Sequence, residues 1–233
     1  MKIAVVIPAF NEEKSIAKVI EEVSLVAQEN NLLLDVVVVN DCSTDSTSEI
    51  ISKLKCIALN LPINLGIGGA VQTGFKYAFE NNFDAAIQVD GDGQHPANEI
   101  PKLISTMKEK ELDVVIGSRF ISKTGFQSTV FRRTGINYFR RLNKFLCGMN
   151  ITDSTSGFRL LNKKALVIVS EYYPDEYPEP EAILIFAKNK LKVGEVPVSM
   201  KERQGGVSSI GFFSSIYYMW KVTLGILFTF IRR

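Results

Sequence analysis

Two aspartates separated by a single glycine, Asp90 and Asp92, stand in the segment QVDGDGQHP, directly after an apolar run at residues 85–89. Aspartate and glycine are also residues that turns favour, so the pair by itself is equally typical of a simple turn. Two carboxylates one residue apart can instead bind a hard divalent cation, and Mg²⁺ typically uses one or two carboxylates together with substrate phosphates. The chemistry that this spacing offers is therefore the binding of a metal and a diphosphate.

Apolar runs rich in β-branched residues alternate with helical patterns and predict the elements that position these carboxylates. The predicted strands lie at residues 3–7, 34–39, 85–89 and 114–116. Such alternation is typical of an α/β fold with a largely parallel sheet, in which ligands bind beyond the carboxyl ends of the strands. Polar clusters follow three of these strands, as PAFNEE, NDCSTDST and DGDGQHP. Three clusters converging on one crevice favour a binding site over three independent turns.

The composition is that of one globular domain, with 233 residues, 46% of them apolar, and no internal repeat or linker. A formal net charge of +2 is too small to indicate a nucleic-acid partner. The three cysteines lack metal-ligand spacing and are typical of buried thiols in a reducing compartment. The first apolar run contains Pro8 and is followed by Glu12 and Glu13, which favours a buried strand over a signal peptide. We therefore expect a cytosolic protein.

Two further segments suit a nucleotide without specifying which one. Asp41 and Asp45, in NDCSTDST, stand where a ribose or base can be held, although Asp45 can equally cap the following helix. The segment NLGIGGAVQTGF is similar to a dinucleotide-binding fingerprint, but Val71 stands where the third glycine belongs. Gly68 instead predicts a close backbone approach to a phosphate or ribose, with helix packing as the alternative.

The charges are distributed unevenly, which predicts a basic site for an anion. Residues 118–152 hold seven Lys or Arg and no acid, whereas residues 170–187 hold five acids and no base. In FRRTGINYFRRLNKFL the basic residues recur at helical spacing, opposite an apolar stripe of Phe139, Leu142 and Leu146. This pattern suits anionic headgroups and a prenyl phosphate, with an ordinary solvated helix face as the alternative. The candidate ligands of such a phosphate are Arg119, Arg132 and Arg133.

The carboxyl-terminal segment at residues 210–233 is predicted to associate with a membrane, and residues 1–209 to form the α/β domain. Lys221 interrupts its apolar run and leaves ten uncharged residues after it, too few to span a bilayer. An amphipathic surface helix with Tyr217, Tyr218 and Trp220 at headgroup level fits better. A core helix folded back on the sheet and a tilted span are the alternatives.

The motifs together carry a family resemblance. PAFNEE, VNDCSTD, NLGIGGAV, DGDGQHP, GSRF, TDSTSGFR and RQGGVSS occur in the order found in family-two glycosyltransferases. Over nearly the whole chain the sequence resembles, in particular, the dolichol-phosphate mannose synthases and the bacterial polyprenyl-phosphate glycosyltransferases. The resemblance implies a GT-A (Rossmann-like) fold, a UDP- or GDP-sugar donor, Mg²⁺ or Mn²⁺, and inversion at the anomeric carbon.

The resemblance also implies roles for individual residues, grouped by ligand. Those implied around the nucleoside are Pro8, Asn11, Glu12 and Asp41, with Gly68 also on the donor side. Those implied at the metal and diphosphate are Asp90, Asp92 and Gln94, with Arg203 and Ser208 closing over the donor. Those implied beside the acceptor are Asp153, Ser156 and Arg159; the catalytic set is Asp92, Asp153, Arg159 and Arg119. The chain departs from the family at Phe10, where Tyr is common, and at Ser209, where the mannose synthases often have Lys.

The sequence therefore predicts a metal-dependent, inverting hexosyltransferase that acts on polyprenyl phosphate in cell-surface glycan synthesis. A lipid phosphate is already anionic near neutral pH and mainly needs cationic positioning, which the basic residues can supply. We expect the protein to lie in the cytoplasm, peripheral on the inner face of the cell membrane, with a small integral membrane protein as a further candidate partner. The alternatives are a glycosyltransferase that extends a polysaccharide at a sugar hydroxyl, and a non-catalytic nucleotide-binding subunit that recruits a membrane partner.

Overall fold

A computed structural model describes residues 1–122, 130–201 and 212–231, with side chains from residue 133 in the second range and from residue 217 in the third. These ranges form seven strands and eight α-helices. The strands are β1 (Lys2–Ala9), β2 (Leu33–Asn40), β3 (Ile57–Asn60), β4 (Ala85–Gln88), β5 (Val114–Ser118), β6 (Arg159–Asn162) and β7 (Val193–Pro197). The helices are α1 (Ile16–Glu29), α2 (Thr47–Ser52), α3 (Gly66–Glu80), α4 (Ile100–Glu109), α5 (Val130–Cys147), α6 (Lys163–Glu171), α7 (Pro178–Lys188) and α8 (Phe212–Ile231).

The strands form one mixed sheet in the order β3-β2-β1-β4-β6-β5-β7. All neighbouring pairs are parallel except those of β6, which runs antiparallel to β4 and β5. The four predicted strands are confirmed as β1, β2, β4 and β5. In register, Pro8 of β1 lies beside Val39 of β2, and Val6 lies beside Gln88 of β4. The carboxyl ends of three adjacent strands therefore meet at one edge of the sheet.

Helices cover both faces of the sheet, which explains why the strands are apolar without alternation. Val5 and Ile7 point into one core cluster with residues of α1 and α4. Ala4 and Val6 point into the other, with residues of α3, α6 and α7. This two-sided burial holds the strand ends, and the polar loops that follow them, in fixed relative positions.

Helix α8 packs against α5 and α7 through one face and exposes the other. Phe139 of α5, Leu184 of α7, and Val222 and Ile226 of α8 form a small buried cluster. The apolar stripe predicted on α5 therefore points inward, while the exposed side of α8 carries Trp220, Phe228 and Ile231. Among the described residues, no helix has the length and apolar character needed to cross a membrane.

Candidate active site

The loop after β4, at residues 89–96, holds the two predicted metal-binding carboxylates in a fixed turn and is called the acidic loop below. Gln88 donates from Nε2 to Asp90 Oδ1 at 3.0 Å, and Asp92 Oδ1 accepts from the backbone N–H of Gln94 at 3.0 Å. The carbonyl of Gln94 accepts from the backbone N–H of Lys201 at 3.0 Å. Lys201, at the end of a described range, is thus hydrogen-bonded to the acidic loop.

His95 supports this loop from behind. It is buried, its Nδ1 accepts from the backbone N–H of Asp90 at 3.0 Å, and its Nε2 lies 3.5 Å from Asp90 Oδ2. Its ring stacks on Phe158, with 5.1 Å between the ring centroids. His95 therefore serves as a scaffold for the acidic loop, because both of its ring nitrogens face Asp90.

The ends of β1 and β2 lie beside the acidic loop. A Cβ added to Gly91 would lie 3.0 Å from the carbonyl oxygen of Pro8 and 3.5 Å from Cγ of Glu12, so only glycine fits here without displacing a neighbour. Asn11 has a left-handed backbone, with φ of 57°, and its Oδ1 accepts from the backbone N–H of Thr44 at 2.8 Å. The structure therefore brings Pro8 and Glu12 beside the acidic loop, and it joins Asn11 to the loop after β2.

Asp41 and Asp45 both bind backbone N–H groups at the starts of helices. The two carboxylate oxygens of Asp41 accept from Leu65 at 2.7 Å and from Gly66 at 2.9 Å, where α3 begins. Asp45 accepts from the N–H of Thr47 at 3.0 Å, which supports the capping interpretation for this residue. Asp41 thus fixes the loop before α3, and its contact with a nucleoside stays a prediction.

Gly68 is the site of a close approach, but to the chain's own backbone. Its N–H donates to the carbonyl of Asp175 at 2.9 Å. A Cβ at this position would lie 2.0 Å from the carbonyl oxygen of Pro174, a distance that no side chain can occupy. Gly68 therefore allows α3 to pack against the loop before α7, which is the helix-packing alternative. The predicted close approach was to a phosphate or ribose.

A buried ion pair joins Arg119, directly after β5, to Asp153, in the loop before β6. Asp153 is fully buried, and its Oδ2 accepts from Arg119 Nε at 2.7 Å while its Oδ1 accepts from Nη2 at 2.7 Å. Burial alone lowers the pKa of Arg119, but the bonds to Asp153 and the field of Asp90 and Glu179 outweigh it and hold the pKa above its ordinary value. Arg119 is therefore a cation fixed by Asp153 within the electrostatic influence of Asp90 in the loop after β4.

Glu195 of β7 holds the loop that carries Asp153, and the sequence analysis did not identify it. Its Oε1 accepts from the backbone N–H of Asp153 at 2.9 Å and from Thr152 Oγ1 at 2.7 Å. Its Oε2 accepts from the backbone N–H of Thr152 at 2.7 Å. A charged residue within the short apolar strand VGEVP was the available signal, because a strand residue of this kind requires partners.

Ser156 and Arg159 form the framework behind this pair. Both are almost completely buried. Ser156 Oγ donates to the carbonyl of Gly117 at 2.7 Å, and Arg159 donates from Nε to the carbonyl of Ser156 at 2.7 Å. Both side chains thus bind backbone carbonyls, and their predicted positions beside the acceptor stay predictions.

The remaining predicted residues lie on the exposed side of α5 or outside the described residues. Arg133 is exposed on α5. The side chain of Arg132 lies outside the described residues, as do Arg203 and Ser208. Their contacts with the donor or the acceptor phosphate stay predictions.

The acidic loop fits a divalent cation that the substrate helps to bind. Among the described residues, no group of three or more His, Cys, Asp or Glu side chains could enclose a metal. Asp90 and Asp92 nevertheless offer hard oxygen ligands, and Mg²⁺ or Mn²⁺ is commonly held by one or two carboxylates, with phosphate oxygens and water completing the shell. The donor set therefore suits a metal bound together with a diphosphate.

The fold is that of the GT-A glycosyltransferases. Glucosyl-3-phosphoglycerate synthase of Mycobacterium tuberculosis, crystallised with Mn²⁺ and UDP, superposes with a TM-score of 0.72 over 98% of this chain and 79% of its own, at 17% identity. The chain belongs to glycosyl transferase family 2, whose sequence profile matches residues 4–168.

Relatives in this family include enzymes named for lipid phosphate acceptors. The chain is 33% identical to the UDP-N-acetylglucosamine–dolichyl-phosphate N-acetylglucosaminyltransferase of Methanococcus voltae, with 84% of each chain covered. It is 26% identical to the undecaprenyl-phosphate mannosyltransferase of Micrococcus luteus, with 90% of this chain and 88% of the relative covered. The predicted family is confirmed, and the named relatives differ in their sugars.

Proposed function

We propose that the protein is a metal-dependent, inverting glycosyltransferase that moves a hexose or related sugar from a UDP- or GDP-sugar to a polyprenyl phosphate such as undecaprenyl or dolichyl phosphate. The observation that carries this proposal is the buried Arg119, held by Asp153 in the electrostatic field of Asp90. An acidic pair suited to a metal and diphosphate thus lies within electrostatic reach of a fixed cation suited to a second anion. Relatives named for dolichyl and undecaprenyl phosphate acceptors support the same substrate class.

On the donor side, the chain positions the leaving group. Asp90 and Asp92 would hold Mg²⁺ or Mn²⁺, which supplies positive charge against the negative charge that develops on the departing nucleoside diphosphate. Gln88 and His95 keep Asp90 in place, so the carboxylate needs no rearrangement when the donor binds. Preorganisation of this kind lowers the barrier because the polar groups are already oriented.

On the acceptor side, the ion pair favours a phosphate over a sugar hydroxyl. A hydroxyl acceptor needs a carboxylate base to remove its proton, but both oxygens of Asp153 already accept from Arg119. A phosphate oxygen is anionic near neutral pH and attacks the anomeric carbon without such a base. Arg119 then serves to orient the acceptor, and the opposite-face attack inverts the anomeric configuration.

The enzyme meets its lipid at the cytoplasmic face of the membrane. The exposed basic residues of α5, which include Arg133, Arg141 and Lys144, lie on the helix that packs against α8. The exposed aromatic residues of α8 supply the apolar part of the same surface. Lipid headgroups attract such cations, and aromatic rings insert at headgroup level. A small integral membrane protein is a further candidate partner for this surface.

Transfer of radiolabelled sugar tests the proposed function directly. Purified enzyme is incubated with labelled UDP- and GDP-sugars, Mn²⁺, and either undecaprenyl phosphate or an oligosaccharide acceptor. We expect labelled, organic-extractable lipid from one donor and a loss of product when EDTA is added. Product on the oligosaccharide and none on the lipid phosphate would contradict the proposal and favour a polysaccharide-extending enzyme.

The exposed face of α8 is expected to dominate binding to vesicles. A double variant that replaces Trp220 and Phe228 by serine should bind anionic phospholipid vesicles more weakly than wild type. The expected loss is roughly tenfold or more for each side chain, since burying an aromatic side chain contributes about 1.5–3 kcal/mol. Sedimentation with vesicles measures the effect. Leu25→Ser, which removes an exposed apolar side chain from α1, is the matched control and should bind like wild type. Equal binding by all three proteins would show that α8 does not face the lipid.

A further inference from the structure

Glu179, the second residue of α7, is bonded through its backbone to Arg159, which belongs to the framework of the candidate site. Its backbone carbonyl accepts from Arg159 Nη2 at 2.9 Å. The same guanidinium donates to the carbonyls of Ser154 and Ser156, in the loop that carries Asp153. The start of α7 is therefore fixed to the loop that holds the buried ion pair.

The carboxylate of Glu179 has charged surroundings but no side-chain partner among the described residues. It lies within electrostatic reach of Arg159, Asp90 and Arg119. Burial raises its pKa, and the attraction of Arg159 opposes this rise. The residue is only partly exposed, so the carboxylate is partly desolvated without a full set of hydrogen bonds. Such a group is costly unless a ligand completes its hydrogen bonding.

Arg159 has one guanidinium nitrogen that makes no hydrogen bond within the described residues. Its Nη1 is buried, and within the described part of the chain this donor has no hydrogen-bond partner. The same holds for Oγ of Ser154, whose carbonyl already accepts from Arg159. No ion pair within 4.0 Å joins Arg159 to Glu179, although the two side chains influence each other electrostatically. A carboxylate that needs donors thus lies close to a guanidinium that can still donate.

The chemistry of these groups selects a neutral polyhydroxyl ligand. A phosphate would be repelled by the carboxylate of Glu179, which excludes the diphosphate and the acceptor phosphate as its direct partners. A hydroxyl group both donates and accepts, so hydroxyls can satisfy a carboxylate and a guanidinium together. The sugar is the part of the donor that carries hydroxyls, and it is bonded directly to the diphosphate that Asp90 is proposed to help bind.

We propose that Glu179 binds a hydroxyl of the donor sugar and is a determinant of sugar specificity, with Arg159 positioning it through its backbone carbonyl. This inference rests on the proposed function in placing the sugar nucleotide at the acidic loop. A site that hydrogen-bonds a sugar hydroxyl discriminates strongly against analogues that lack it, because its buried polar group is then left unpaired. Glu179 therefore links the fold to the choice of sugar.

Calorimetric titration of Glu179→Gln compares UDP and GDP with UDP-glucose, UDP-N-acetylglucosamine and GDP-mannose, all in the presence of Mn²⁺. We expect the preferred sugar nucleotide to bind roughly tenfold to hundredfold more weakly, and its parent nucleotide to bind as in wild type. Glu171→Gln, at the exposed end of α6, is the matched control and should change neither affinity. Equal weakening of nucleotide and sugar nucleotide, or no weakening of either, would overturn the proposal.

The affinity of deoxy-sugar nucleotides, measured first with wild-type protein and then with Glu179→Gln, provides a second test. One deoxy donor should bind wild type more weakly than the parent donor, and Glu179→Gln should lose most of this difference, as a double-mutant cycle requires of a direct contact. A fall in kcat with unchanged donor affinity would instead identify a proton-transfer role and overturn the inference. The binding measurements do not depend on turnover, so a failure to glycosylate lipid phosphate would defeat the proposed function without deciding the role of Glu179.

Discussion

Asp92→Asn is expected to reduce turnover by roughly a hundredfold to a thousandfold while leaving the fold intact, as typical losses of one preorganised electrostatic group imply. The substitution removes a negative charge from the pair that would hold the metal and diphosphate. It keeps the shape of the side chain, and an amide oxygen can still accept from the N–H of Gln94. Initial rates at saturating donor, together with manganese binding followed by electron paramagnetic resonance, measure the effect.

Asp84→Asn is the matched control for this substitution. Asp84 is exposed, precedes β4 at the end opposite to the acidic loop, and accepts from the backbone N–H of Lys2 at 2.7 Å. An amide oxygen can replace that acceptor, so activity should equal that of wild type. Manganese-dependent turnover at the wild-type rate in Asp92→Asn would show that the acidic pair does not hold a catalytic metal.

Asp153→Asn is expected to cost about 3–5 kcal/mol of stability and to abolish transfer, because it leaves Arg119 buried without its charged partner. For a domain of this size the loss corresponds to a fall in melting temperature on the order of 10 °C. Differential scanning calorimetry measures the stability, and the labelled-sugar assay measures the activity. Glu49→Gln, which removes an exposed ion pair on α2, should leave the melting temperature unchanged.

The double variant Asp153→Asn with Arg119→Met separates stability from catalysis. Replacing both members of a buried pair by neutral side chains often restores stability, so most of the lost melting temperature should return. Activity should stay absent, because the fixed cation for the acceptor is gone. Recovery of activity along with stability would contradict the role proposed for Arg119.

The polar clusters after the strands could be predicted because each belongs to a local pattern. The long strands β1 and β2 are recognisable in the sequence as apolar runs, and PAFNEE and NDCSTDST follow them. The short strands β3, β6 and β7 were missed, since four or five residues of mixed character define no clear period. The sequence therefore did not predict β6 or its antiparallel pairing with β4 and β5.

Acidic residues in the segment EYYPDEYPEPEAI looked alike in the sequence and differ in the structure. Glu176 pairs with Lys221 of α8 at 2.5 Å, and Glu181 accepts from Thr229 of α8 at 2.6 Å. Glu179 instead accepts from Arg159 through its backbone carbonyl, and its carboxylate lies within electrostatic reach of Arg159 and Asp90. The prolines of this segment are typical of a loop, but α7 begins within it, at Pro178, and turns these side chains in different directions.

The sequence by itself determined the family, the α/β class, the acidic pair after β4 and the basic character of α5, because each of these lies in residues that are close together along the chain. Only the tertiary structure decided which charges meet. Arg119 and Asp153 are separated by 34 residues, and Thr152 and Glu195 by 43. Hydrogen bonds act over about 3 Å, so partners distant in sequence are chosen by the folded sheet and not by any local pattern.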